Sequence, residues 1–276
     1  MGPVPGRMWR MRLLAVMHEI PLWAMAAIIV LFAESFSVGL MLLTRYTYGV
    51  SRLSLNNEVA GFKFAVVGVF YAVLLAFVVI AVWEEYRDTE TAVRNEAKAV
   101  VDLQEVTYAL TDKGGAPIRQ HLAAYVEDVL KHEWDSMAVG EPSNVVGEEL
   151  GALSAAIFAA ESNDRRELAL FQHALTLLTV IADNRDERLD SANGSVPAIL
   201  WFVLIVGGAI TLSYPAFFAS SNLGAQVLMT ASLAALVALS LVLGLAFDFP
   251  FTGNPHISAY PFDRALEVIS AGPPPS

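Results

Sequence analysis

Four long apolar runs alternate with polar stretches along this chain, and their order defines it. They extend from about Ile20 to Leu43, Gly61 to Trp83, Val196 to Ala219 and Gln226 to Phe247. Each is roughly 20 or more residues long, enough to cross a ~30 Å hydrocarbon core at ~1.5 Å rise per residue. The pattern predicts an all-α protein: four transmembrane helices in two pairs, with a helical cytoplasmic bundle inserted between spans two and three. The boundaries that follow are an N-terminal segment 1–19, a first transmembrane hairpin 20–83, a helical module 84–195, a second hairpin 196–247 and a C-terminal segment 248–276.

The periodicity of the intervening residues supports helices there too. No proline stands between Gly61 and Leu110, and no glycine after Gly68. Beyond Trp83 the apolar stripe Val93, Ala97, Val100, Leu103, Val106 and Leu110 keeps steps of three and four. One helix of about 50 residues, ~75 Å long, is therefore expected to run out of span two. Lys113-Gly114-Gly115-Ala116-Pro117 is expected to end it. A second helix is predicted from Pro117 to Ala138, a third from Val146 to Glu161 burying Leu150, Leu153, Ile157 and Phe158, and a fourth to about Ala192. Asn163 or Asp164 is the expected N-cap of the fourth, whose stripe begins at Leu168 and Phe171. Asn193-Gly194 ends it and Pro197 opens span three. Tyr214-Pro215 interrupts that span, where proline frees a carbonyl and bends or hinges the helix.

Charge orients this arrangement. The net charge of −11 resides in the module, where Glu84 to Ser195 holds 22 acidic and 10 basic residues. A nucleic-acid partner is excluded, because the one large polar surface would repel phosphate. Arg7, Arg10 and Arg12 precede span one; Arg87, Arg94 and Lys98 follow span two; Arg185 and Arg188 precede span three. Only Arg45, Arg52 and Lys63 fall on the other side, so positive-inside counting puts both termini and the acidic module in the cytoplasm. A signal peptide competes for the first run, with Ala33-Glu34-Ser35 as its cleavage site. The apolar run resumes at Phe36, however, and reaches spanning length. There is no cysteine, hence no disulfide, thiolate metal site or thiol nucleophile.

Candidate functional residues cluster in the first hairpin. Gly61, Ala65, Gly68, Ala72 and Ala76 form a small-residue stripe on span two, the kind that lets helices approach closely in lipid. Its partner is either another span of the same subunit or a neighbouring subunit. In the second case another face, with Phe64, Tyr71, Leu74 and Val78, would meet a pore. Glu34 stands near the middle of span one, where a carboxylate costs roughly 2.5–3.5 kcal/mol, so a functional role or a buried partner is expected. Lys63 is the nearest candidate partner, and both are ionisable groups near the expected pathway. His132-Glu133-Trp134-Asp135-Ser136 lacks the second histidine of a zinc motif; Glu127, Asp128, Glu133 and Asp135 read as a solvated face. Arg165 and Arg166 read as surface partners of Glu161. No phosphate loop, dinucleotide fingerprint or nucleophile elbow occurs, so no catalytic, cofactor-binding or metal-binding residue is expected and the chain is not read as an enzyme.

Four stretches, taken together and in order, resemble one family. They are GFKFAVVGVFYAVLLAFVVIAVWEEY from Gly61, AYVEDVLKHEWDSM from Ala124, ADNRDERLDSANGSVPAILW from Ala182 and DFPFTGNPHISAYPFDRAL from Asp248. The family is the bestrophin-like domain proteins of bacterial membranes, which are similar to the bestrophin ion channels. That resemblance implies a homo-oligomeric channel, a pentamer by analogy, in the bacterial inner membrane, with span two lining the pore. It places Asp248, Pro250, Phe251 and Gly253 at the inner membrane face. No counterpart of the bestrophin neck triplet or acidic calcium clasp stands in this sequence, so neither constriction nor calcium gating carries over. The acidic module would concentrate cations, whereas Arg45, Arg52 and Lys63 against Glu58 favour anions at the outer mouth. The competing function is a membrane-anchored helical signalling or scaffold protein without conductance.

Overall fold

A computed structural model describes residues 20–160 and 164–272. The segment expected at 1–19, the last four residues of the tail, Asn163 and Glu161 (the expected partner of Arg165 and Arg166) lie outside that description. Every regular element among the described residues is a helix. In chain order these are α1 (Leu22–Tyr48), α2 (Val50–Ser54), α3 (Asn57–Ala109), α4 (Asp112–Asp128), α5 (Trp134–Ala138), α6 (Asn144–Ala159), α7 (Arg165–Ser191), α8 (Ala198–Ser213), α9 (Leu223–Asp248) and α10 (Tyr260–Ala271). A π turn, Val129–Glu133, joins α4 to α5, and a 3₁₀ turn, Tyr214–Phe217, follows α8. Four of the helices are long and apolar enough to cross a bilayer: α1, α3, α8 with its 3₁₀ turn, and α9.

The residues divide into two compact units. One, the spanning unit, comprises the described residues up to Glu84 together with Ser195–Asp248. Its core joins Ala33 of α1, Tyr71, Leu75, Val78 and Val82 of α3, Leu204 and Leu212 of α8, and Ala234, Val237 and Ala238 of α9. Large side chains elsewhere on these helices, such as Phe32, Phe70, Phe202 and Leu236, face outward. A helix apolar all round belongs in lipid, where outward Leu and Phe carry no penalty. Polar groups inside this unit turn to backbone. Pro215 lacks an N–H, so α8 ends at Ser213 in a 3₁₀ turn instead of bending onward. Ser37, fully buried on α1, donates to the Leu212 carbonyl at 2.7 Å, and Thr44 donates to the Ala216 carbonyl at 2.7 Å.

The second, helical unit contains Glu85–Gly194 and the described residues from Phe249 onward. Its core includes Val93, Val100 and Leu103 of α3, Ile118, Leu122, Tyr125 and Val126 of α4, Leu153 and Ile157 of α6, Ile181 of α7 and Phe262 of α10. α3 itself is continuous over 53 residues. α4 begins five residues earlier than the sequence predicts and takes both glycines into its first turns. The reason is contact: a Cβ on Gly115 would lie 2.3 Å from the Thr107 carbonyl oxygen, so this glycine permits a close helix crossing instead of breaking a helix. Asp164 caps α7, accepting from the Arg166 and Glu167 amides at 2.9 and 3.1 Å. Two apolar positions differ from expectation: Phe158 and Leu168 are exposed, not buried.

Candidate functional site

Span two, residues 57–84 of α3, presents two faces. The inner face carries Phe64, Tyr71, Leu74 and Val78, the residues the sequence offered to a pore. Phe64 instead stacks within the chain, its ring centroid 5.8 Å from that of Tyr214 and 5.9 Å from that of Phe218. Tyr71 is 6% exposed and seated against Gly207 and Gly208 of α8. Val78 is buried, and Leu74 packs against the same core. The small-residue stripe does not pack against another span of the same chain. Ala65, Ala72 and Ala76 are exposed, Gly68 has open space around it, and only Gly61 approaches a neighbour, Phe218. The residues offered to a pore thus pack within the spanning unit, because the small residues that receive a large aromatic are supplied by α8, at Gly207-Gly208, and not by span two. Opposite Tyr71, Phe62, Val66, Val69, Phe70 and Val73 line an uncovered, wholly apolar concavity of about 460 Å³.

The ionisable candidates do not meet. Glu34 is half-buried and Lys63 exposed, and neither forms an ion pair or hydrogen bond among the described residues. Lys63 instead borders a hollow of about 480 Å³ with Asn56, Ser213, Tyr214 and Phe217. Arg45, also on the side expected to be external, donates to the Ser220 carbonyl at 2.8 Å and to Gln226 Oε1 at 2.7 Å. Asn57 completes this clasp by exchanging hydrogen bonds with the backbone of Ala219 at 2.9 and 3.1 Å. The loop after span three is thus held from α1, α3 and α9 together.

Asp248, the last residue of α9, has a defined task in the spanning unit. Its carboxylate accepts from the Ser195 and Val196 amides at 2.9 Å each, and from Trp201 Nε1 at 3.0 Å. It thereby satisfies the amides of the two residues that lead into Pro197 and α8, and ties the indole of Trp201 in the first turn of α8 to the end of α9. The residues after it belong to the helical unit. Pro250 accepts from the Ile257 amide at 2.8 Å, and Phe251 meets the Trp134 ring edge-on at 5.8 Å. Thr252 donates to the Ala138 carbonyl at 2.9 Å, while Gly253 turns the chain at φ 76°.

The helical unit holds a feature the sequence reading missed. Glu133, expected on a solvated face, is fully buried, as are Arg188 and Glu96. Arg188 reaches Glu96 through Nε and Nη2, both at 2.9 Å, and Glu133 through Nη2 at 2.7 Å. Arg185 grips the same Glu133 with Nη2 at 2.5 Å. Tyr125 donates to Glu96 at 2.6 Å, and the Arg188 guanidinium lies over the Trp134 and Phe262 rings. Two cations answer two anions, so the network is internally neutral. Burial, then Glu96, push the Tyr125 phenol well above its ordinary range. Burial alone would loosen the Arg188 proton, but Glu96 and Glu133 outweigh it and hold that charge more firmly. A π turn ending at Glu133 supplies that carboxylate, and such turns are frequent at functional sites.

Comparison with known proteins assigns the architecture. The Bestrophin-like domain family matches residues 30–262, so this chain belongs to that family. Its fold is similar to that of a bacterial bestrophin homologue from Klebsiella pneumoniae. One crystal structure of that protein has TM-score 0.66 at 13% identity, covering 89% of this chain and 100% of the other. A point mutant of the same homologue has TM-score 0.67 at 12% identity, over 88% and 98% of the two chains. No curated protein sequence matches. Family and apolar helices together make this a membrane protein.

Proposed function

We propose that this chain forms a homo-oligomeric ion channel of the bacterial inner membrane, a pentamer by analogy with bestrophins, with span two as its pore wall. Family membership over residues 30–262 carries the reading. The uncovered face of span two supports it, because Phe62, Val66, Val69, Phe70 and Val73 have no partner element at their concavity among the described residues. In an assembly around an axis this face, and not the one with Tyr71, meets the pathway, while the exposed Ala72 and Ala76 beside it admit a neighbouring subunit closely. The basic residues flanking the spans favour two hairpins with the acidic module and both termini cytoplasmic.

Purified protein fused into a planar bilayer is expected to conduct, and Phe70→Ala, which widens an apolar constriction, to raise unitary current severalfold. Electron microscopy is expected to show a ring with a central opening. Silence from folded protein across salt, pH and voltage, together with a monomer or closed dimer, would replace this reading with that of a helical scaffold.

A further inference from the structure

Tyr71 is the one large polar side chain of span two buried in the core of the spanning unit, and its surroundings are unusual in two ways. The notch that receives it is made of consecutive glycines on α8. A Cβ on Gly207 would stand 3.0 and 3.2 Å from Tyr71 Cδ2 and Cε2, and one on Gly208 would stand 2.9 Å from the hydroxyl oxygen and 3.4 Å from Cζ. The ring therefore fills space that only glycine leaves. The hydroxyl, by contrast, is buried without a hydrogen-bond partner among the described residues. Ring packing favours the seated position, whereas an unpartnered buried donor opposes it.

Opposed terms of this kind make a side chain bistable. If span two turns about its axis, Tyr71 leaves the notch and its hydroxyl gains water or a backbone carbonyl. Within the chain nothing covers Ala72, Ala76 or Gly68 among the described residues, and these small residues put no large side chain in the path of such a turn where a neighbouring subunit packs on them. We propose that Tyr71 and the Gly207-Gly208 notch are a latch that holds span two in a resting rotation and sets the balance between resting and released states. The latch rests on the channel reading only for its electrical readout.

The geometry predicts a specific pattern of rescue. Gly208→Ala drives its methyl into the hydroxyl oxygen and releases the latch; adding Tyr71→Phe removes that oxygen and reseats the ring. Gly207→Ala meets the ring carbons themselves, so Tyr71→Phe does not rescue it. Tyr71→Phe alone removes the unpartnered donor and tightens the latch. The chain has no cysteine, so one reporter suffices: Leu75→Cys, on the same buried face one turn away. In the full-length protein in liposomes, labelling by a water-soluble maleimide is expected to rise about tenfold with Gly208→Ala. It should return to the starting rate in the Gly208→Ala/Tyr71→Phe double variant and fall below it with Tyr71→Phe alone. Open probability should follow the same order. Equal labelling in all backgrounds, or a shift in melting temperature without one in labelling, overturns the latch. Labelling that shifts in preparations passing no current upholds the latch and defeats the channel reading instead.

Discussion

In the spanning unit, buried polar side chains lean on the backbone. Ser37 and Thr44 donate to carbonyls beside Pro215, Asn57 brackets Ala219, and Asp248 gathers amides at the start of α8. The helical unit does the reverse, enclosing two arginines and two glutamates that satisfy one another. Every ion pair found among the described residues belongs to the helical unit. The difference follows from solvent. Where lipid surrounds the helices an unanswered backbone group has no water to turn to, so polar side chains there, charged Arg45 and Asp248 included, bind backbone groups. The helical unit buries charge because geometry closes the set, each of Glu96 and Glu133 meeting a guanidinium in the core.

The strongest test of this contrast is Arg188→Met. It leaves Glu96 in the core with only the Tyr125 hydroxyl and takes one of two guanidinium partners from Glu133, and thermal or denaturant unfolding is expected to show a loss of about 3–5 kcal/mol. A loss no larger than that from a single neutral group in the spans would erase the distinction. Asp248→Ala removes the acceptor of the Ser195 and Val196 amides, the Ser195 hydroxyl and Trp201 Nε1 and is expected to cost about 1–3 kcal/mol, with faster hydrogen exchange at the Ser195 and Val196 amides. The pH dependence sharpens the comparison further. Because Tyr125 is held protonated, its contribution is fully present below the unfolded phenol value of about 10 and is lost as pH rises from there through the folded value. Stability should fall by about 1.4 kcal/mol per pH unit in that window. Tyr125→Phe should remove this component of the slope. Ser37→Ala is the smallest effect, about 1 kcal/mol, since only the Leu212 carbonyl loses its donor.

Much of the fold was legible because it rests on local pattern. The unbroken 53-residue α3 follows from an uninterrupted stripe, and the Asp164 cap from residue type alone. What failed depended on partners distant in sequence. Glu133 lies on the buried stripe between Val129 and Met137, yet a charged residue on a helix defaults to water unless its partners, 52 and 55 residues away, are known. Arg185 and Arg188 continue the stripe from Ile181 at steps of four and three, a usable signal that was read only as topology. On span two, the small residues predict the packed face, and the structure packs the opposite one. The deciding glycines stood on α8, and single-helix periodicity cannot reveal which partner yields. α10 went unread, though Phe262, Ala265 and Ile269 keep helical spacing behind Pro261.

The carboxylate of Asp248 also dictates an order of events in biogenesis. The amides it satisfies belong to Ser195 and Val196, 53 and 52 residues upstream. When the third span first leaves the ribosome, its leading end has no such acceptor, and none arrives until the fourth has been synthesised. α8 is therefore expected to reach its final packing only once α9 is complete, the earlier helix waiting for the later to seal the stretch that leads into it.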